Sequence, residues 1–524
     1  MKNKKIMLWI FLAIGLTIAF FSYPVTITYD SSHYLWLTSL LTHEGSFADW
    51  DVARGPIFPL FIKICNSVFG HNSIGLLIGM YMCYLAMIVV CIMIYKDVLG
   101  DKKKFKYIFS VLFIILIVLN PIVFGYYHTL LTEFIGMTFA VLSCFLSWKW
   151  MIINFKENKL KYISITILFS LLATIAWLLK QPYVGTVLFP IIIAAIVSFV
   201  RNPKFKNLAQ RVLTLIVCCV TLVIGVSVWN YVVNVNNVNI KQDRTSEGFL
   251  AAGILNGITE FELESNEKFD TVEKIYNNAN LKNTDKEKMK EILEGTSKYK
   301  NYRVYKDKAG NFYILYGKND NFSTTESMKF LLSSFFKNPK DILGGYITNY
   351  LATISVYETE FEGMKINIKK SINFKDTQEV SVIGFRIYGY NNDNVFPLSE
   401  EYDKYVTDYK SINKPITCIN YIMRKAELPN TIIMKVSYLI LPIVAFISII
   451  KLFAFRKRYC EKCLRIIDME LILYLYSLMH ILVHSTLGST IDRYTVPALI
   501  TTIIGFILNG YEIFYRKSFK INNR

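Results

Sequence analysis

The chain has 524 residues, 53% of them hydrophobic and 15% aromatic, with a mean hydropathy of +0.35; this is too apolar for an ordinary soluble domain and excludes a disordered polypeptide. A formal charge of +18 from 58 Lys and Arg against 40 Asp and Glu raises nucleic acid as a partner. The excess is concentrated in short segments between apolar stretches, where basic residues orient spans and meet anionic membrane lipid, so no nucleic-acid partner is expected.

A segment of roughly 20 mainly apolar residues crosses about 30 Å of hydrocarbon. Segments 6–23, 74–95, 107–124, 133–153, 162–179, 183–200, 212–233, 432–454, 467–486 and 494–515 read as spans. The expected fold is mainly α, a polytopic helix bundle of about ten spans with a small extracytoplasmic α+β domain. Residues 1–235 form a seven-span module, 236–430 the extracytoplasmic domain, and 431–524 three C-terminal transmembrane helices. Lys2, Lys4 and Lys5 precede the first run. With no Ala-x-Ala-like site before Asp30, it reads as an uncleaved span.

Basic segments 1–5, 96–106, 149–161, 201–211, 451–465 and 516–524 alternate with basic-poor ones. Positive loops stay inside. Both termini are therefore expected to be cytoplasmic in a multi-pass plasma-membrane protein, with 24–72, 121–132 and 236–430 outside. The spans themselves read as clean, with polar groups gathered at one face.

The outer loop 24–72 gathers Asp30, His33, His43, Glu44, Asp49, Asp51 and Arg54. Residues 31–42 and 57–69 read as helices lying along the interface. Asp30, just beyond the first span, suits a general base if desolvation raises its pKa, and suits a helix cap equally well. Asp49-Trp50-Asp51 has the Asp-x-Asp spacing that holds divalent metal in soluble sugar transferases, or is a solvated acidic turn. Glu133 opens the fourth span after Tyr126, Tyr127 and His128; a carboxylate at a span is a functional candidate, and Thr132 as N-cap with Glu133 on the helix dipole is the alternative. Arg54, Lys180 and Arg493 are outer-face cations able to meet a phosphate, although Arg493 also has Asp492 beside it.

His480 and His484 lie one turn apart and read as packing or pore-side polar residues rather than a metal site. Cys460 and Cys463 make half a zinc pattern without a second pair, and the scattered cysteines indicate no disulfide framework. In the 236–430 region, 284–295 reads as a helix, 301–317 as a hairpin, and 324–357 as two amphipathic helices broken at Asn338-Pro339.

In chain order these features are Asp30 followed by Tyr34, then Arg54-Gly55-Pro56, Thr132-Glu133, Lys180-Gln181-Pro182, and Arg493-Tyr494 with Pro497. The set resembles the GT-C superfamily of integral-membrane glycosyltransferases, in particular bacterial relatives of the protein O-mannosyltransferases and the lipid A aminoarabinose transferases. The resemblance covers about half the chain. It implies transfer from a polyprenyl-phosphate-linked sugar to an extracytoplasmic glycan or glycolipid, less readily to a protein, with inversion. Asp30 takes the role of base and Glu133 that of second acid, while Arg54, Lys180 and Arg493 hold the donor phosphate. Tyr34, Asp49, Asp51, His128 and Tyr494 line the site or meet the acceptor. No organic cofactor is implied, and a divalent metal is left open. Asp30 is followed by Ser31 where several relatives have a second acid, and Glu133 by Phe134 where they have a basic residue. A transporter or flippase of lipid-linked sugars and a polysaccharide polymerase or ligase are the other readings.

Overall fold

A computed structural model describes residues 2–23, 25, 29–41, 50, 54–70, 73–99, 108, 110–153, 158–201, 203, 205–236, 258–261, 281–294, 301–307, 312–317, 358–362, 365–369, 417–455, 461–486 and 495–522, with isolated positions between 273 and 350. The protein is mainly helical and has two compact units.

The first unit comprises Met1–Asn237, Asn373–His480 and Arg493–Arg524. Among the described residues, eight helices are long and apolar enough to cross a membrane, as a multi-pass membrane protein requires. They carry the spans read at 74–95, 133–153, 162–179, 183–200, 212–233, 432–454, 467–486 and 494–515. In chain order the helices are α1 (Lys2–Phe21), α2 (Tyr29–Leu40), α3 (Ile57–Phe69), α4 (Ser73–Leu99), α5 (Pro121–Tyr126), α6 (Glu133–Ile152), α7 (Lys159–Leu179), α8 (Val184–Arg201) and α9 (Phe205–Asn236).

The stretch 107–124, read as one span, is interrupted. A π-helical turn, Ile114–Val118, ends with the Leu119 N–H donating to the Ile114 carbonyl at 2.8 Å. Asn120 then caps a new helix: its Oδ1 accepts from the Ile122 N–H at 2.9 Å, with Pro121 placed where no backbone donor is needed. The restart lets the chain turn through 127–132 into α6.

Helix α6 is the centre of this unit. Buried residues occur along its whole length, and it packs on α4, α8 and the last helix of the chain, Val496–Asn522. Its C-terminal carbonyls are capped from α9, where the Arg211 guanidinium donates to the Trp150 and Met151 carbonyls at 2.7 and 3.0 Å and lies 4.2 Å over the Trp150 ring. These bonds satisfy carbonyls that every helix end leaves without an intrahelical donor.

Helix α2 is not a surface helix: Ser31, His33, Tyr34, Leu35, Leu37 and Thr38 are all buried. Lys63 of α3 donates to the Leu41 carbonyl at 2.6 Å, which ties the end of α2 to α3. Helix α3 does present Leu60, Ile64 and Val68 outward at intervals of one turn, the apolar stripe that an in-plane membrane helix carries.

Three further helices, α11 (Thr417–Phe455), α12 (Glu461–Thr486) and α13 (Val496–Asn522), lie towards the end of the chain. The reading of clean spans is corrected here. Asp468, Glu470 and Glu512 are fully buried, each facing a cation: Arg201 pairs with Asp468, while Lys451 Nζ lies 3.5 Å from Glu470 Oε2 and 3.1 Å from Glu512 Oε2. Charge at these depths requires compensation. Likewise 451–465 is not all loop, since α11 continues to Phe455 and α12 starts at Glu461.

The second unit comprises Val238–Ile372 and Ile481–Asp492. It contains α10 (Asn283–Leu293) and a three-stranded antiparallel sheet in which β2 (Asn301–Asp307) lies between β1 (Ile258–Phe261) and β3 (Phe312–Gly317). The hairpin read at 301–317 is present, with Tyr305 opposite Tyr313 and Val304 opposite Ile314, and the helix read at 284–295 is α10. A two-stranded ribbon, β4 (Glu358–Glu362) with β5 (Lys365–Lys369), completes the elements. Most of 324–357 lies outside the described residues.

Candidate functional site

Lys180 stands at a break between two spans. Pro182 disfavours helix at the residue before it and cannot donate into the α7 ladder, so α7 stops at Leu179. Lys180 is extended (φ −164°, ψ 124°), its N–H donating to the Ala176 carbonyl, and the turn Gln181–Tyr183 leads into α8. This backbone carries the ammonium to Glu133, with Nζ 3.2 Å from Oε1. Glu133 is 1% exposed and Lys180 15%, so the pair is buried on the carboxylate side and retains some access on the ammonium side.

One part of the alternative reading of Glu133, the Thr132 cap, is not met. Thr132 makes no side-chain cap; its Oγ1 donates to Glu133 Oε2 at 3.4 Å. The carboxylate is bound by a hydroxyl and an ammonium rather than left to interact with the helix dipole alone.

Tyr34 and Arg54 form a second cation site. Arg54 Nη1 donates to the Tyr34 hydroxyl at 3.1 Å, and the guanidinium carbon is 5.3 Å from the Tyr34 ring centre. Trp50, which separates Asp49 and Asp51 in the sequence, is buried and donates from Nε1 to the Arg54 carbonyl at 2.8 Å. The indole therefore holds the Arg54 backbone.

Three contacts bring the two cation sites to the same end of the bundle. Gly55 lies against the backbone of Leu178, and a Cβ there would collide with the Leu178 carbonyl; Arg54 is thus beside the last turn of α7, just ahead of Lys180. Phe58 meets the Tyr34 ring at 4.7 Å and the Phe134 ring at 5.9 Å, bridging α2 and the residue after Glu133. Ser31 donates to the Leu130 carbonyl at 2.8 Å, tying the first turn of α2 to the loop before Glu133.

Asp30 is the second residue of α2, next to that Ser31 bond; its side chain lies outside the described ones. Asp49, Asp51, Arg493 and Tyr494 also lie outside the described residues. His128 is placed in an aromatic cluster, its ring 4.1 Å from Phe20 and 4.4 Å from Phe124, and it is buried. Among the described residues no group of three or more His, Cys, Asp or Glu side chains comes together.

Two contributors had no clear signal in the sequence. Tyr183 and Gly136 meet beside the Glu133–Lys180 pair, and only folding α6 against the α7–α8 turn makes them neighbours.

Chemically, the end of the bundle combines an ammonium with partial access, a guanidinium and a buried carboxylate. Such a set can hold an anion with more than one acceptor oxygen. No protein family, no curated protein and no solved structure matches the chain.

Proposed function

We propose that the protein is a glycosyltransferase of the GT-C type, moving a sugar from a polyprenyl-phosphate-linked donor to a hydroxyl of an extracytoplasmic glycan or glycolipid. What carries the reading is the convergence of Tyr34, Arg54, Glu133 and Lys180, four residues far apart in the chain, at one end of the bundle. In the full proposal there are about ten spans, both termini are cytoplasmic, residues 236–430 form an outer α+β domain, and the site faces outward at the plasma membrane.

In this mechanism Asp30 accepts the proton of the acceptor hydroxyl. The acceptor oxygen bonds to the anomeric carbon from the face opposite the phosphate, inverting it. The bond from that carbon to the phosphate oxygen breaks, and the polyprenyl phosphate leaves with the electron pair. Lys180 and Arg54, joined by Arg493, stabilise the charge that develops on the phosphate. Glu133 orients Lys180.

A panel of radiolabelled polyprenyl-phosphate sugars, offered to the protein in nanodiscs with envelope glycolipids as acceptors, tests the proposal. Labelled acceptor and free polyprenyl phosphate are expected for one donor, and Asp30→Asn should cut transfer by at least about a hundredfold without loss of donor binding. Unimpaired transfer by that variant would remove Asp30 from the mechanism. The buried charges at Lys451, Glu470 and Glu512 favour a second reading, transport of a lipid-linked sugar. Movement of labelled donor across proteoliposomes with no phosphate released would establish transport instead.

A further inference from the structure

Besides Glu133, Lys180 meets an aromatic ring. Its Nζ lies 5.7 Å from the centre of the Tyr183 ring, within the range over which a cation is drawn to an aromatic face. Tyr183 is fully buried. Its ring occupies the space that a side chain on residue 136 would need, since a Cβ there would come within 2.9 Å of Cζ and 3.0 Å of Cε2. Residue 136 is glycine, one turn beyond Glu133 in α6.

Glycine inside a helix costs about 1 kcal/mol relative to alanine, and here the bare backbone admits an aromatic ring at a distance no other residue type permits. The main-chain turn holds the ring as well: the Tyr183 N–H donates to the Lys180 carbonyl at 2.8 Å, and Thr186 Oγ1 donates to the Tyr183 carbonyl at 2.6 Å. The residue that the ring faces and the residue that closes its turn are both Lys180. Glu133 and Gly136, which fix the ammonium and the ring, belong to the same rigid helix.

We propose that the seat of Tyr183 on Gly136 is a positioning device for Lys180, setting where the ammonium stands and hence how tightly the protein holds the phosphate of a lipid-linked donor. This rests on the function proposed above. Tyr183 and Gly136 are positioning residues; neither touches the reacting atoms. Because ring atoms make both contacts, the device needs the ring and not the hydroxyl.

The experiment measures equilibrium binding of radiolabelled polyprenyl phosphate, and KM and kcat for the donor, in wild type, Tyr183→Phe, Tyr183→Leu and Gly136→Ala. Tyr183→Phe is expected to match wild type. Tyr183→Leu and Gly136→Ala should weaken phosphate binding about tenfold and lower kcat/KM by at least as much, kcat included, since Lys180 also meets the charge that develops on the leaving phosphate. Equal binding by the leucine and alanine variants, or the same loss in Tyr183→Phe, would overturn the proposal. If one of those two variants fails to accumulate as folded protein, the other carries the comparison with Tyr183→Phe. Wild type that neither binds polyprenyl phosphate nor releases it from a donor overturns the proposed function, and this inference with it. Wild-type binding that the variants retain overturns the inference alone.

Discussion

His128 shows how burial and hydrogen bonding pull one side chain in opposite directions. It lies between α5 and α6, outside the spans, with Nδ1 2.7 Å from the Phe124 carbonyl and Nε2 2.9 Å from the Phe20 carbonyl. A neutral imidazole has one N–H and can donate to only one of them, whereas the imidazolium donates to both. Burial outweighs the two carbonyls and lowers the pKa from 6.5 to about 4. The folded value is below the unfolded one, so the fold resists protonation: the stability is fully present above about pH 6.5 and is lost as pH falls toward 4. Across that window the loss should be about 3 kcal/mol. Thermal unfolding of the detergent-solubilised protein at pH 7 and pH 4.5 measures it. His128→Asn, which cannot titrate, should have a lower midpoint at pH 7 and a much flatter dependence on pH; an unchanged pH dependence would assign the acid sensitivity elsewhere.

Between elements, the contacts that build the site are ones that apolar periodicity does not encode. Eight spans were legible because each is a long apolar run, and a run of that kind has few alternatives to a membrane helix. The stop at Lys180 was legible from Pro182, and the β2–β3 hairpin from two Tyr-rich runs about a polar turn. Burial of α2 was not: 31–42 carries Ser, His and Thr as an interfacial helix would, and its Ser31 and Thr38 are satisfied by carbonyls of Leu130, Tyr34 and Pro59. The same holds for Gly55, a plain turn residue in the sequence. Its value lies in lying flush against Leu178, a neighbour more than a hundred positions along the chain. Gly55→Ala should therefore part α3 from α7, costing about 1–3 kcal/mol of stability by overpacking and displacing Arg54 from Tyr34. Unfolding midpoints, with Gly15→Ala as a control where a Cβ meets nothing, test this; equal midpoints for the two variants would refute it.

Across the first unit, charge is handled in two ways. At the end carrying Glu133, the cation of the pair keeps some access and the set can meet a ligand; in the C-terminal helices, Lys451 is enclosed by Glu470 of α12 and by Asn509 and Glu512 of α13, with Asn509 Oδ1 at 3.4 Å. These charges were visible in the sequence, but Lys451 read as one of the basic residues that orient a loop, because only three-dimensional packing pairs it with carboxylates 19 and 61 positions away. A lysine bridging two carboxylates joins three helices at one point and sets their register. Lys451→Met removes the only one of the three groups that is positive and leaves two buried carboxylates facing each other; a loss of about 3–5 kcal/mol is expected. Replacing all three groups, with Met at 451 and Gln at 470 and 512, removes the uncompensated charge and should recover most of that loss. If the network serves only to join the helices, the triple variant keeps sugar transfer near wild type; if it serves transport, the triple variant is folded and inert. Unfolding midpoints together with the two activity assays separate these outcomes, and a triple variant no more stable than Lys451→Met would show that the ion pairs are not what holds α11, α12 and α13 in register.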